Sequence, residues 1–230
     1  MTDDAKRSAR QTSDSQEWYT PPHIVERVHQ ILGGIDFDPA SCPEANKVVR
    51  AKRFLTEREN GLVAPWPAEP STVYCNPPGG LRGGKSYPVQ FWARLLRYCA
   101  SDRLKAGIFM GFTLDLMQTS QSAVLSVLRF PFCVPKQRLR FNTTPDGREV
   151  ATRPPHANVI VLVAPFRTTE GFLPGEFEKA FRDVGDVVIP STQGRRMGWT
   201  TFRRRVRREE QDLFGEERVP TGWGGPGPAE

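Results

Sequence analysis

The residues with the clearest chemical potential in this chain are Asn76, Pro77 and Pro78, between the apolar run 72–75 and the glycine-rich loop 79–84. Both prolines fix φ and lack an N–H, and the first favours an extended conformation at the preceding Asn. The segment therefore presents rigid hydrogen-bond acceptors at the end of a predicted strand. Such acceptors suit the amino group of a flat heterocycle, because holding both amine hydrogens makes the nitrogen more nucleophilic. The alternative is a plain proline turn with Asn as a loop residue.

Apolar spacing predicts alternating helices and strands around this motif. Helices are predicted at 22–32, 89–99, 114–128 and 176–184. Strands are predicted at 35–39, 48–55, 73–75, 106–112, 132–141, 158–164 and 186–189. The alternation up to residue 128, followed by two adjacent strands that are able to pair antiparallel, predicts an α/β fold with a mostly parallel sheet.

The composition predicts one globular domain with polar extensions. The chain has 230 residues, of which 38% are hydrophobic, enough for a single core. We interpret residues 1–15 as a flexible N-terminal arm, 16–190 as the folded domain, and 191–230 as a basic, Gly- and Pro-rich tail that is disordered or folds on a partner. The formal charge of +6 and the pI near 9.4 moderately favour a polyanionic partner.

The positions of cysteine and histidine argue against a metal site. The four cysteines lie far apart without a C-x-x-C pair, and the three histidines do not cluster with them. We therefore expect no metal and reduced, mostly buried thiols. No apolar run approaches the roughly 18 residues needed to cross a bilayer, and the N-terminus lacks the apolar segment of a signal peptide. We expect a cytoplasmic protein without membrane contact.

Several short segments occur in a characteristic order along about residues 17 to 189. They are Glu17-Trp18-Tyr19-Thr20-Pro21, Asp36-Phe37-Asp38-Pro39-Ala40-Ser41, Lys52-Arg53-Phe54-Leu55-Thr56 leading to Asn60-Gly61-Leu62, Asn76-Pro77-Pro78, Gly84-Lys85-Ser86, Phe91-Trp92, Pro135 to Phe141, and His156 to Ala164. In these segments the chain resembles the phage-type DNA N-6-adenine methyltransferases, often called the phage Dam family.

The resemblance implies a class I methyltransferase fold, which is a Rossmann-like doubly wound sheet with a late antiparallel strand. It also implies S-adenosylmethionine as methyl donor, double-stranded DNA as partner, and a phage or prophage gene expressed in a bacterial host. The implied reaction is direct methyl transfer to the N6 amine of a flipped adenine, with Asn76, Pro77 and Pro78 as the catalytic motif. Cytosine C5 methylation is disfavoured, because it uses a cysteine nucleophile, usually in a Pro-Cys dipeptide that this chain lacks.

The resemblance also implies a set of cofactor-binding residues. They are Thr20, Pro21, Asp36, Asp38, Pro39, Ala40 and Asn60. In an open α/β sheet, Asp38 and Asn76 would both lie at the topological switch point, where an Asp accepts ribose hydroxyls or attracts positive charge. Alternatives remain for several of these residues: capping or turn formation for the two aspartates, helix capping for Thr20, and a left-handed turn for Asn60. No G-x-G-x-x-G fingerprint occurs.

The residue after the two prolines departs from the common pattern of amino methyltransferases. Amino methyltransferases usually have Tyr, Phe or Trp there, whose ring stacks on the flipped base, whereas this chain has Gly79. Such stacking contributes about 1–3 kcal/mol per base. We predict Tyr87 as the substitute, because the glycine-rich loop is able to fold it back, whereas Phe91 and Trp92 are more typical of a helix core.

Basic residues are predicted to contact the DNA backbone. Arg82 and Lys85 flank the glycines of the loop, and Lys136, Arg138 and Arg140 alternate along the predicted strand 132–141, so they would project from one face. An ordinary solvated strand face is the alternative for these three cations. The arginine-rich tail is predicted to make salt-sensitive, non-specific contacts.

Three other functions stay open at this level. The first is a catalytically degenerate methyltransferase-fold protein that binds nucleic acid, with Gly79 as the mark of lost activity. The second is methylation of RNA or of a protein Gln or Asn amide by the same acceptor geometry. The third is a structural, packaging-associated DNA-binding protein in which the Asn-Pro-Pro sequence is incidental.

Overall fold

The computed structural model describes residues 19–112, 127–142, 157–165, 172–190, 201–204 and 206. The helices are α1 (Pro22–Leu32), α2 (Pro43–Val49), α3 (Tyr87–Ala100) and α4 (Phe172–Phe181), with a 3-10 turn at Val127–Arg129. The strands are β1 (Phe37–Asp38), β2 (Arg53–Phe54), β3 (Ser71–Cys75), β4 (Leu81–Arg82), β5 (Lys85–Ser86), β6 (Leu104–Phe112), β7 (Phe132–Pro135), β8 (Asn158–Val163) and β9 (Gly185–Val188).

Seven of these strands form one mixed sheet in the order β2-β1-β3-β6-β8-β7-β9. Strands β2, β1, β3 and β6 are mutually parallel, β8 runs antiparallel between β6 and β7, and β9 pairs antiparallel with β7 at the edge. Five of the seven strands therefore point the same way. The predicted α/β class with a mostly parallel sheet and a late antiparallel strand is confirmed, and the topology is compatible with a Rossmann-like fold.

Two apolar layers cover the faces of the sheet. Alternation along β6 directs Phe109 towards the layer under α3 and directs Ile108 and Met110 towards the layer under α1 and α4. Strand β8 alternates in the same way, and all six of its residues are buried. A sheet covered on both faces by helices explains why its central strands read as nearly continuous apolar runs.

Residues 48–55 do not form the predicted strand. They contribute the end of α2, a turn, and only the two-residue strand β2. Pro43 occupies the first turn of α2, Cys42 Sγ accepts the Ala45 N–H at 3.3 Å, and Arg50 ends the helix in the left-handed conformation at φ 55. These local capping signals outweigh the strand preference of the valines at the helix end.

The predicted strand 132–141 ends early. Strand β7 stops at Pro135, and the following residues form a bend at 136–137 and then a segment outside any regular strand up to the bridge between Asn142 and Tyr19. Lys136, Arg138 and Arg140 are exposed, but the prediction that they line one face of a strand is wrong. A proline cannot donate to a strand ladder, which explains why regular pairing ends there.

Part of the predicted tail belongs to the domain. Residues 201–204 and 206 are helical, and Phe202 and Val206 are 0% and 3% exposed within the apolar layer under α3. Arg203 also forms an ion pair with Asp102. The prediction of a tail that folds only on a partner is therefore wrong for this short helix, because it carries apolar residues with the spacing of one helix face. The N-terminal arm, most of the helix predicted at 114–128 and the rest of the tail lie outside the described residues.

Candidate active site at the carboxyl ends of β1 and β3

The sheet changes direction between β1 and β3. The chain leaves β1 towards β2 on one side, whereas it leaves β3 through α3 towards β6 on the other. Open α/β sheets bind ligands in the crevice outside the carboxyl ends of two such strands. Asp38 is the last residue of β1, and Asn76 directly follows β3. The register pairs Phe37 with Val73, so this topology places Asp38 and the Asn-Pro-Pro segment side by side.

Asp38 is a buried carboxylate, with only 2% of its surface exposed. Burial raises its pKa from 3.8 to about 7, although the Ala40 N–H, which donates a 3.0 Å hydrogen bond to Oδ1, and the nearby Ser41 hydroxyl both act to lower it. Within the described parts of the chain, no Lys, Arg or His forms an ion pair with this group. The neighbouring Ser41 Oγ is buried close to this carboxylate and forms no hydrogen bond of good geometry among the same residues. Buried charge without compensation is unfavourable, so this carboxylate is suited to a cationic or hydroxyl-bearing ligand.

Asn76 is joined to the segment before α1. Its Nδ2 donates to Thr20 Oγ1 at 3.1 Å, and Thr20 Oγ1 lies 2.5 Å from the Tyr74 hydroxyl. The Tyr74 hydroxyl in turn donates to Met110 Sδ at 3.2 Å. Thr20 is 6% exposed, and Asn76 is half-buried. The rigid Asn-Pro-Pro turn is therefore tied to a buried polar chain and is not a simple surface loop.

Thr20 does not cap α1. The N-cap residue is Pro21, which makes no side-chain capping bond, and its carbonyl accepts the N–H groups of Ile24 and Val25 at 2.9 and 3.2 Å. The Thr20 hydroxyl is used by Asn76 and Tyr74 instead. The capping alternative for Thr20 is therefore wrong, whereas Pro21 is buried beside the site at the start of the helix.

Asp36 lies at the opposite end of β1 and does not join this site. Its carboxylate accepts from the Thr72 N–H at 3.0 Å and from Lys52 Nζ at 2.7 Å, close to the amino end of β3. Burial acts to raise the pKa of Asp36, but Lys52 and the two Thr72 donors outweigh it and lower the pKa to about 2. These contacts make Asp36 a structural clasp between strands, so the structure separates it from the other predicted cofactor residues.

Asn60 forms a tight turn whose glycine packs on Pro39. Asn60 has φ 59, and its Oδ1 accepts the Leu62 N–H at 3.1 Å, as in the turn interpretation. A Cβ on Gly61 would lie 1.8 Å from the Pro39 carbonyl oxygen, so only glycine allows this approach. Trp66 Nε1 donates to the Gly61 carbonyl at 2.9 Å and fixes the turn from the other side. The turn thereby supports Pro39 and Ala40 directly after Asp38.

A β-hairpin follows the two prolines. Strands β4 and β5 pair antiparallel, with Gly83 and Gly84 at φ 57 and 74 in the turn, which is the signature of a two-residue hairpin. The buried Gln90 side chain donates to the carbonyls of Arg82 and Lys85 at 3.2 and 3.0 Å and holds the hairpin against α3. Arg82 is exposed, as is the neighbouring Leu81 at 63%. The hairpin thus places the cations Arg82 and Lys85 a few residues after the end of β3, in a conformation fixed by α3.

The three aromatic candidates in α3 differ in burial: Phe91 and Trp92 lie within the core, whereas Tyr87 is half-buried and packs against the same core. Phe91 and Trp92 are 4% and 0% exposed, and the Trp92 ring makes edge contacts with Phe109 and Phe130 at 5.2 and 5.3 Å. They belong to the core and are not placed to stack on a base. Tyr87 begins the helix, is half-buried, and donates its backbone N–H to Gly80 O at 3.1 Å. It therefore lies beside the glycines that follow Pro78.

A basic edge lies next to Thr20. Tyr19 and Asn142 exchange two backbone hydrogen bonds at 3.0 and 2.9 Å, which places the segment 138–142 against the residue before Thr20. Arg138 and Arg140 are exposed along this segment, whereas Leu139 is buried. Although they do not lie on a strand, these cations border the same end of the sheet as Asn76.

Cys75 is not suited to covalent catalysis. It is fully buried, and burial together with the nearby Asp38 raises its pKa well above the usual range of a thiol. The described residues contain no cluster of His, Cys, Asp or Glu able to hold a metal ion. None of the described helices is long and apolar enough to span a bilayer.

Comparison with protein-family models, with curated proteins and with solved structures finds no match to this chain.

Sequence reasoning missed the partners that hold the site together. Tyr74 lies two residues before Asn76, so strand alternation was a usable signal that their side chains share a face. Met110 and Gly61 carried no comparable signal, because their roles depend on β6 pairing with β3 and on the turn meeting Pro39.

Proposed function

We propose that this protein transfers a methyl group from S-adenosylmethionine to the N6 amine of adenine in double-stranded DNA. One observation carries the proposal: the buried Asp38, which has no ion-pair partner among the described residues, and the proline-locked Asn76 lie on neighbouring strand ends at the switch point of the sheet. A class I methyltransferase fold agrees with the strand order, in which the antiparallel β8 lies between β6 and β7.

Asp38 supports the cofactor assignment. A carboxylate whose pKa is raised to about 7 by burial gains from a ligand that brings a positive charge or hydroxyl donors, and S-adenosylmethionine has both. Pro39, Ala40 and Thr20 would border the same ligand, and the cofactor would supply the electrophilic methyl group. Asn60 and Asp36 contribute indirectly, because one forms the turn under Pro39 and the other closes the far end of β1.

Asn76 and Pro77 support the choice of an amine as the acceptor of the methyl group. The amide oxygen of Asn76 and the Pro77 carbonyl accept the two amine hydrogens, which withdraws the nitrogen lone pair from ring conjugation. Rigid acceptors need no rearrangement during the reaction, so alignment and preorganised dipoles provide most of the catalysis. The fully buried, protonated Cys75 thiol supports a direct transfer without a covalent intermediate.

The surroundings of the site favour a polyanionic, base-bearing substrate. The hairpin carries Arg82 and Lys85, and the segment beside Thr20 carries Arg138 and Arg140, with Lys136 further along the chain. These cations would contact phosphates on either side of the strand end, while Tyr87 would stack on the extruded base.

A second candidate is a degenerate methyltransferase-fold protein that binds nucleic acid without methylating it. It is favoured by Gly79 in the place of the stacking ring and by the core positions of Phe91 and Trp92. The two candidates differ in turnover but share donor binding.

The test is methyl transfer from labelled S-adenosylmethionine to unmethylated DNA by the full-length protein, with mass analysis of the digested nucleosides. The proposal predicts N6-methyladenine. Donor binding without transfer to any DNA would favour the degenerate protein, and a methylated RNA or protein amide would identify another acceptor.

Two neighbouring variants sharpen this test. Asn76→Ala should retain donor affinity within about threefold and lose at least about a hundredfold in kcat, as for removal of a preorganised polar group at a reaction centre. Cys75→Ala is the matched control at the adjacent position and should keep its turnover. Loss of activity in Cys75→Ala alone would instead favour covalent catalysis.

A further inference from the structure

A continuous chain of polar groups leads from Asn76 into the core. It runs from Asn76 Nδ2 to Thr20 Oγ1, then to the Tyr74 hydroxyl and finally to Met110 Sδ, with separations of 3.1, 2.5 and 3.2 Å. Thr20, Tyr74 and Met110 are 6%, 1% and 0% exposed. Solvent therefore has little access to the groups that decide the hydrogen-bond pattern.

Met110, at the buried end of this series of polar groups, determines which group donates in each hydrogen bond. A thioether sulfur accepts hydrogen bonds but cannot donate, so the single Tyr74 hydroxyl proton is directed to Met110. Tyr74 then accepts the Thr20 proton, and Thr20 accepts from Asn76. Burial keeps the Tyr74 hydroxyl protonated by raising its pKa above the usual value, so this donor persists across the working pH range.

We infer that Tyr74, held by Met110 and acting through Thr20, orients the Asn76 amide so that its nitrogen faces Thr20 and its oxygen faces the opposite side. This inference rests on the proposed function, because it explains how the site presents an acceptor to the substrate amine. Tyr74 and Met110 are positioning residues, since they act on Asn76 only through Thr20.

Reversing the Asn76 amide would remove one of the hydrogen bonds between Asn76 and Met110. With its oxygen towards Thr20, Asn76 would need the Thr20 proton, so Thr20 would require a proton from Tyr74 and Met110 would lose its donor. A reversed Asn76 would also present a donor to an amine that needs acceptors. The orientation therefore affects the methyl-transfer step more than the affinity for either substrate.

The first experiment compares kcat, KM for DNA and donor affinity in Tyr74→Phe and Met110→Leu. Both changes conserve volume closely and remove one polar group each. We expect kcat to fall about tenfold in Tyr74→Phe and by a smaller factor in Met110→Leu, with KM and donor affinity unchanged. Tyr98→Phe is the matched control, because Tyr98 is also buried and its hydroxyl donates to the Pro67 carbonyl away from the site.

The decisive comparison repeats Tyr74→Phe in an Asn76→Asp background. A carboxylate presents an acceptor oxygen on either side, so its orientation is irrelevant and Tyr74→Phe should leave kcat unchanged there. An equal fall of kcat in both backgrounds would overturn the inference, because it would indicate a general structural role for Tyr74.

A measurement without turnover separates this inference from the proposed function. The Asn76 side-chain amide signals in a nitrogen–proton NMR spectrum are identified by their disappearance in Asn76→Asp. Their hydrogen exchange should be slow in the unaltered protein and lose this protection in Tyr74→Phe and Thr20→Val. Unchanged protection would overturn the orientation chain even in an active enzyme. If the two variants lose this protection but the protein transfers no methyl group, the hydrogen-bond series from Asn76 to Met110 is supported and the proposed function is rejected.

Discussion

The two ends of β1 hold carboxylates in opposite electrostatic situations. At the amino end, Asp36 is surrounded by Lys52 and the donors of Thr72, and its pKa falls to about 2. At the carboxyl end, Asp38 is more deeply buried and forms no ion pair among the described residues. The Ala40 N–H and the Ser41 hydroxyl offset the effect of burial only in part, and its pKa is about 7. The two positions are separated by a single residue, Phe37.

This difference indicates that Asp36 serves the stability of the fold, whereas Asp38 is suited to binding a ligand. A compensated carboxylate strengthens the fold, whereas an uncompensated one destabilises it unless a ligand supplies the missing partner. The direction of the parallel strands explains the placement, because ligands of open α/β sheets bind outside the carboxyl ends of the strands, where Asp38 lies, and Asp36 precedes the other end of β1. Residue type alone does not distinguish Asp36 from Asp38.

The largest expected effect is on donor binding. Asp38→Asn keeps an acceptor for the Ala40 N–H but removes the charge, so affinity for S-adenosylmethionine should fall about 10- to 100-fold, as for loss of a charge-assisted hydrogen bond. Asp36→Asn is the control and should change affinity less than about threefold. Calorimetric titration measures both, and equal losses would remove the functional distinction between the two ends.

Gly61→Ala tests the support behind Asp38. The new methyl group would collide with the Pro39 carbonyl, so the free energy of unfolding should fall by about 1–3 kcal/mol and donor affinity should weaken with it. Gly175→Ala is the matched control, because its Cβ would have open space within α4 and alanine favours a helix by up to about 1 kcal/mol. Denaturant unfolding of both variants measures the contrast. A tolerated Gly61→Ala would show that the turn does not need this close approach.

The smallest expected effects are on the free energy of unfolding, which should change in opposite directions in Asp36→Asn and Asp38→Asn. At pH 8 without ligand, Asp36→Asn should lower the free energy of unfolding by about 1–2 kcal/mol, because it removes charge-assisted hydrogen bonds that are partly exposed. Asp38→Asn should raise it, because it removes a buried charge that has no ion-pair partner among the described residues. Urea denaturation compares the two variants, and changes of the same sign would contradict the contrast.

The contributions of Asp38 and Asp36 to the free energy of unfolding should also change with pH in opposite directions. The folded-state pKa of Asp38 exceeds its ordinary value of 3.8, so the unaltered protein should lose stability relative to Asp38→Asn as pH rises from about 4 to about 7, with no further change above. Asp36 behaves oppositely: its contribution is present above about pH 4 and is lost as pH falls towards 2. A difference between the unaltered protein and Asp38→Asn that does not vary between pH 4 and 7 would contradict the raised pKa.

Local patterns were sufficient for some elements and failed for others. The apolar spacing of α1 and its Gly33 terminus were enough to predict Pro22–Leu32 as observed, because amphipathicity and the left-handed glycine agree there. The strand predicted at 48–55 was wrong, because the helix-capping signals at Cys42 and Pro43 outweighed the preference of valine for strands. The prediction of a tail missed the buried Phe202, because arginines dominate the surrounding composition although one helix face is apolar.

The amino-acid sequence by itself determined the rigid Asn76-Pro77-Pro78 turn, the alternation of helices and strands, and the carboxylates on either side of Phe37. These features depend on backbone restriction and apolar periodicity over a few residues. Only the tertiary structure decided that Asp38 lies beside the turn while Asp36 closes the opposite end, and that Tyr74 and Met110 reach Asn76 through Thr20. The physical reason is that strand order, register and burial arise from contacts between distant parts of the chain, and these contacts set the charge and hydrogen-bond state of each side chain.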